Sequence, residues 1–190
     1  MRIFFCVELA DTVRDALEEV ARMVRAGLSA PAKWVPKDNF HITVRFLGEV
    51  EEAMLPEIKA VGAELARGQQ PFEVALTRLG AFPSVRRARV IWAGPEQDSP
   101  QFAELAHRAE MKARALGFPP ERKEAKAHVT LARLKVPRDV AHALTRVPFP
   151  TLNVEVGSLT LMEPRLRPEG PLYTPIERWP LGGEDGLRNP

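Results

Sequence analysis

The chain has 190 residues, enough for one domain with a substantial core or for two small fused lobes. Hydrophobic residues make up 45% and charged residues 27%, as in a soluble globular protein, and no run of about 18 apolar residues is present, so a membrane-spanning helix is not expected. Cys6 is the single cysteine, which excludes an intramolecular disulfide and a cysteine-rich metal site; the formal charge of +2 does not by itself announce a nucleic-acid binder.

The opening MRIFFCVELAD carries Glu8 and Asp11 too early for a secretion signal. A cytoplasmic setting is expected. Residues 2–9 alternate instead: Ile3, Phe5, Val7 and Leu9 share one face, and Arg2, Phe4, Cys6 and Glu8 share the other. That pattern predicts a strand. Asp11 is placed to cap a helix ending near Gly27, with Val13, Leu17, Val20 and Val24 on its buried stripe. Pro31 and Pro36 mark a loop. Residues 40–47 read as a second strand and 51–67 as a second helix. Residues 72–79 and 89–93 read as two strands joined through Pro83-Ser84. A third helix is predicted over 100–116, stopped by Gly117 and Pro119-Pro120. A strand follows at 127–134, a short helix at 137–145, and strands at 152–162 and 172–179. From residue 182 the tail is polar and expected to be loose. Strands and helices alternate in two similar halves, which points to an α+β fold.

One internal echo carries chemistry. Residues 41–44 read His-Ile-Thr-Val, and residues 128–131 read His-Val-Thr-Leu, close to half the chain apart. In a strand, alternate side chains share a face, so His41 and Thr43 point one way and Ile42 and Val44 the other. His128 and Thr130 oppose Val129 and Leu131 in the same way. The apolar sets belong in the core beneath helices. If the two halves meet on their other faces, four polar side chains converge. Imidazole exchanges protons near neutral pH, so two of them can divide acid and base work in displacement at phosphorus. Hydroxyls and imidazolium can bind phosphoryl oxygens. A strained five-membered cyclic phosphate suits such a pair. No HExxH, CxxC or carboxylate cluster accompanies either motif, so no metal is expected.

These residues resemble the 2H phosphoesterase superfamily and, within it, the RNA 2′,3′-cyclic phosphodiesterases, also called 2′-5′ RNA ligases. The resemblance rests on RIFFCVEL, WVPKDNFHITVRFLGEV, RVIWAG, HVTLARL and GPLYTPIERW, and spans nearly the whole chain. It implies one bilobal domain over residues 1–181, with a tail at 182–190. Two antiparallel sheets related by a pseudo-twofold axis would carry helices outside and a central groove between. It implies that His41 protonates the leaving 3′ oxygen, that His128 activates water, and that a 2′-phosphomonoester results. Thr43 and Thr130 match the family's phosphate-binding threonines, and Arg133 an arginine near phosphate or base. No cofactor is implied, and the partner is an RNA bearing a 2′,3′-cyclic phosphate end. The chain also lacks a GxxxxGK[ST] loop, so nucleotide-driven ligation is not expected. Any 2′-5′ joining would be the same ring chemistry run in reverse.

Around these, Phe4 falls on the groove-side face, where it either stacks a base or fills the space between lobes. Arg45 shares parity with His41 and Thr43 and either reaches the RNA backbone or is a solvated edge charge. Arg133 shares parity with Val129 and Leu131, on the core side, and needs a bulge to reach the groove. Arg89 is a further, weaker candidate. Trp34, Trp92 and Trp179 read as packing residues, His107 and His142 as surface residues, and Cys6 as a small packing residue. A catalytically decayed RNA-binding module remains an alternative, as does a phosphodiesterase acting on another cyclic nucleotide or a 2′-5′ linkage. Nothing suggests an obligate partner, and a monomer is expected.

Overall fold

Ten strands and four helices form the fold in the computed structural model, which describes residues 1–183. The strands are β1 (Arg2–Glu8), β2 (Lys33–Trp34), β3 (His41–Glu49), β4 (Phe72–Leu76), β5 (Arg78–Phe82), β6 (Ala88–Gly94), β7 (Val129–Arg138), β8 (Leu152–Val156), β9 (Ser158–Arg165) and β10 (Leu172–Pro180). The helices are α1 (Asp11–Ala26), α2 (Leu55–Arg67), α3 (Pro100–Ala115) and α4 (Ala141–Thr145). The antiparallel order is β10-β9-β1-β3-β7-β6-β5, with β2 also paired to β7, and β4 with β8 makes a separate two-stranded sheet. The predicted α+β class is therefore observed.

The two halves of the sheet, β10-β9-β1-β3 and β7-β6-β5, meet at the centre of that order, and they are not the two halves of the sequence: β5 and β6 lie on the side of β7, and β9 and β10 on the side of β1 and β3. β3 and β7 share a single partner pair, Ile42 with Val129, the middle residues of the two echoed motifs. Either side of the bridge the strands part. β7 instead pairs with β2 through Lys33–Arg133 and Trp34–Ala132, while β3 pairs with β1 along most of its length. The halves thus form one sheet hinged at the motifs.

One face of this sheet carries the core. Ile3, Phe5, Val7, Ile42, Val44, Ile91, Val129, Leu131, Leu159 and Leu161 are all buried in one cluster with Leu17, Val20 and Val24 of α1, Ile58 and Leu65 of α2, and Phe102, Leu105 and Ala109 of α3. Burying one such side chain is worth about 1.5–3 kcal/mol, which fixes the apolar face inward. The polar members of each motif are left on the helix-free face. There, Phe4, Cys6 and Met162 form a small second cluster with Tyr173.

Several boundaries differ from the sequence reading. The strands expected at 72–79 and 152–162 each break in two, at Thr77 and Gly157, because the chain crosses there from the small sheet to the large one. The loop at 31–36 contains β2. The second helix starts at Leu55, behind a 3-10 turn at Glu52–Met54. β7 runs to Arg138, so the short helix begins only at Ala141. Asp11 is not the cap of α1; Ala10 is, and Asp11 sits in the first turn, where its charge favours the helix dipole. Of the tail, residues 184–190 lie outside the described residues, whereas the Gly182 N–H donates to the Ala66 carbonyl at 3.1 Å.

Candidate active site

The bridge pair sets the geometry of the motifs. The Ile42–Val129 bridge runs the two motifs antiparallel, and Thr43 and His128 border the same cavity. His41, Thr43, His128 and Thr130 are half-buried on the helix-free face. A twofold axis through the bridge relates the two motifs.

Each imidazole is oriented by its own backbone. His41 Nδ1 donates to the Asn39 carbonyl at 2.7 Å, and His128 Nδ1 donates to the Lys126 carbonyl at 2.6 Å. A carbonyl only accepts, so Nδ1 carries the proton and Nε2 is left for acid–base work. In the neutral ring, His41 Nε2 accepts from the Thr43 hydroxyl at 3.0 Å. Aromatic rings buttress both sides. Phe4 and Tyr173 lie 4.9 and 5.2 Å from the His41 ring, and Phe82 and Trp92 lie 5.1 and 6.3 Å from that of His128.

These surroundings lower both pKa values. Burial pushes His41 down to about 4, against the hydrogen bond to Asn39, and the charges of His128 and Arg133 push the same way. Burial also lowers His128, against its hydrogen bond to Lys126, and Arg133 adds to the lowering. Both rings are therefore poised to be neutral in the free protein, and both respond to the charge of Arg133.

A bulge in each strand decides which further residues join them. In β3, Cys6 pairs with Thr43 but Phe5 pairs with Arg45, so Val44 is the extra residue. In β7, Trp92 pairs with Thr130 but Ile91 pairs with Ala132, so Leu131 is extra. Alternation flips at both points. Arg133 accordingly turns onto the face of the histidines, and it is exposed there opposite Lys33.

The same flip removes Arg45 from that face, which corrects the expectation that it reaches substrate or lies as a solvated edge charge. Arg45 is only 5% exposed. Its guanidinium donates to the carbonyl oxygens of Phe46 and Pro119, and bonds Glu121 at 3.0 Å. Its Nε lies 2.6 Å from Glu110 of α3 in an ion pair. Phe4 is also corrected as a base platform. It is 3% exposed, closed in by His41, Phe46 and Tyr173. Of the two readings of Phe4, filling space holds.

Cys6 is fully buried, and burial raises its thiol pKa, as fits a packing residue. His107 and His142 are exposed. Trp92 packs as expected, but in the wall of the site. Sequence reasoning missed Asn39 and Tyr173. Asn39 is 4% exposed; its amide donates to the Pro171 carbonyl at 2.7 Å and accepts from the Tyr173 N–H at 3.3 Å, so it fastens β10 beside His41. The signal was a polar residue two places before the motif, with nothing in the pattern to show its partner.

A cavity of about 440 Å³ opens beside the pair, bounded by Thr43, Phe46, Ala106 and Glu110, by residues 121–126, and by His128. Among the described residues no cluster of three His, Cys, Asp or Glu has the geometry to hold a metal ion, and no helix is long and apolar enough to cross a membrane.

Two histidine–threonine pairs hinged on one antiparallel bridge define a paired-histidine phosphoesterase. The sequence comparisons agree. The family model described as LigT like Phosphoesterase matches residues 7–92 and 94–173, and the chain belongs to that family. It is 34% identical over 182 residues to a protein of Methanothermobacter thermautotrophicus named RNA 2′,3′-cyclic phosphodiesterase, covering 93% of this chain and 97% of that one. A Thermus thermophilus protein of the same name is 37% identical over 194 residues, covering 98% and 93%. Among solved structures, a protein of Thermus thermophilus superposes with a TM-score of 0.80 at 35% identity, covering 97% of this chain and 100% of that chain. E. coli LigT complexed with 3′-AMP superposes with a TM-score of 0.75 at 25% identity, covering 95% and 97%.

Proposed function

We propose that this chain opens 2′,3′-cyclic phosphates at RNA ends, with His41 as acid and His128 as base. The observation that carries the reading is the meeting of both motifs at the Ile42–Val129 bridge in a chain of the LigT-like family. Relatives covering nearly all of it are named for this substrate.

In the proposed step, neutral His128 Nε2 takes a proton from water as the water oxygen bonds to phosphorus. The bond from phosphorus to the 3′ oxygen breaks, and His41 gives that oxygen its proton. A 2′-phosphomonoester results, and a second proton exchange with solvent resets the pair. Thr43, Thr130 and Arg133 bind the phosphoryl oxygens. Burial keeps His41 neutral in the free protein, so the acid is made on binding: a phosphodiester anion between the rings favours imidazolium and screens the charge of Arg133. The cavity beside Thr43 and His128 has room for the terminal nucleoside. The two imidazoles supply both proton transfers, so activity persists in EDTA. The chain acts as a single bilobal domain, as a monomer and in the cytoplasm, and 2′-5′ joining would use the same ring chemistry.

Phosphorus NMR of the product from a short cyclic-ended RNA tests the step. A 2′-phosphomonoester is expected. A 3′-phosphate would exchange the leaving group, and binding without ring opening would favour the non-catalytic RNA-binding module.

A further inference from the structure

We infer that the strand 5′ of the reacting nucleotide leaves the site along a basic track formed by Arg133, Lys33, Lys135 and Arg89; the inference rests on the RNA-end reading above. A 2′,3′-cyclic phosphate closes the 3′ end, so the rest of any RNA departs through the 5′ oxygen of the terminal nucleotide. Two ways lead out from the histidines. On the cavity side, four cations, Arg45, Arg122, Lys123 and Lys126, stand among three carboxylates, Glu110, Glu121 and Glu124, which leaves a net charge of only +1. Lys126 also lies 3.8 Å from Asp98.

The other side differs. Arg133 stands close enough to lower both imidazole pKa values, and Lys33 is its cross-strand partner on the same face. Lys135 follows two residues further along β7, about 7 Å on. Arg89 reaches over from β6, its guanidinium donating to the Lys135 carbonyl at 3.2 Å. All four are exposed. Among the described residues, none has a carboxylate within 4.0 Å, whereas Lys37, Arg45, Lys59, Lys112, Arg165 and Arg178 each do. Four exposed cations gathered around β7, beginning beside the histidines, match a polyanionic backbone, since phosphate contacts position a strand without reading its bases.

The test compares a cyclic-ended RNA hexamer with a mononucleoside 2′,3′-cyclic phosphate as substrates of the full chain, at several salt concentrations. The variant carries Lys33→Gln, Arg89→Gln and Lys135→Gln, and leaves Arg133 in place. For the hexamer, kcat/KM is expected to fall about tenfold at low salt. The salt slope should become shallower by about 2, from three lost contacts at ~0.7 each on a single strand. Mononucleoside turnover should stay within twofold, which also reports that the variant is folded. An unchanged hexamer KM and salt slope would overturn the track. Wild-type protein that turns over neither substrate would overturn the enzymatic reading instead; the hexamer affinity of the wild-type chain against that of the triple variant, by fluorescence anisotropy, then still decides the track.

Discussion

Free His41 has its pKa pushed down to about 4, chiefly by burial, and His128 is lowered for the same reason. Catalysis needs one ring protonated and the other neutral. That form is most abundant between the two macroscopic pKa values of the pair, both of which lie below the ordinary imidazole value of about 6.5. The pH profile of kcat/KM, which reports the free enzyme, should therefore peak below 6.5 and decline above it. The profile of kcat should peak at higher pH, because the bound anion favours imidazolium. Coincident optima at or above pH 7 would contradict this ordering. Arg133 adds a testable sign. Its cation lowers both rings, so Arg133→Gln should raise both pKa values, seen as imidazole proton shifts in an NMR titration, while KM rises. Either His41→Ala or His128→Ala should cost about 10²–10⁴ in kcat, one proton transfer's worth, with far-UV circular dichroism unchanged.

At the scale of the strand, the two bulges separate what the sequence displayed from what it hid. The alternation that put His41 with Thr43, and His128 with Thr130, was legible because each pair lies before its bulge. Beyond the bulges parity misleads. Arg45 looked like a groove residue and is an anchor, while Arg133 looked like a core residue and faces the histidines. A bulge has no residue signature here, as Val44 and Leu131 are ordinary core side chains. Tyr173 and Asn39 were hidden for another reason, since their partnership crosses more than a hundred residues. Arg45 holds β3 to α3 and to the segment that leads into Lys126 and His128. Arg45→Ala strands Glu110 and the Pro119 carbonyl, and should cost about 3 kcal/mol in denaturant unfolding, the low end for a broken buried pair because Glu110 and Glu121 keep some water. Gly80 bears on His128 from the other side. A Cβ there would lie 2.3 Å from the Trp92 ring, which cannot withdraw without pressing on Phe82 or His128. Gly80→Ala should lower both Tm and kcat, whereas a Tm loss with kcat intact would show that Trp92 moves away from the site.

The whole molecule brings its two halves together through one bridge pair, and the groups lining that seam tie the stability of the fold to pH. Above about pH 6.5, the His41 ring is neutral folded or unfolded and contributes no pH dependence. As pH falls from there toward 4, the unfolded chain takes up the proton first, because burial withholds it from the folded one; folding is progressively disfavoured. Glu8, the cross-strand partner of His41, acts lower in pH. Its carboxylate is held below its ordinary value chiefly by the Arg178 guanidinium, at 2.6 and 3.0 Å, with a further bond from Thr160 at 2.8 Å. These contacts join β1, β9 and β10, and the stability they add is present above the unfolded carboxylate pKa and lost as pH falls through the folded one. The two groups act in the same direction but in successive windows. Tm measured by calorimetry should therefore decline gently from about pH 6.5 and more steeply below about 4.5. His41→Asn should make the upper part of that curve shallower, His128 keeping the remainder because burial lowers it too, and leave the lower part, while Glu8→Gln should flatten the lower and leave the upper. A wild-type Tm constant between pH 7 and 5 would show that the His41 ring takes up its proton as readily in the folded chain as in the unfolded one, and with it that the seam is wetter than its aromatic walls make it.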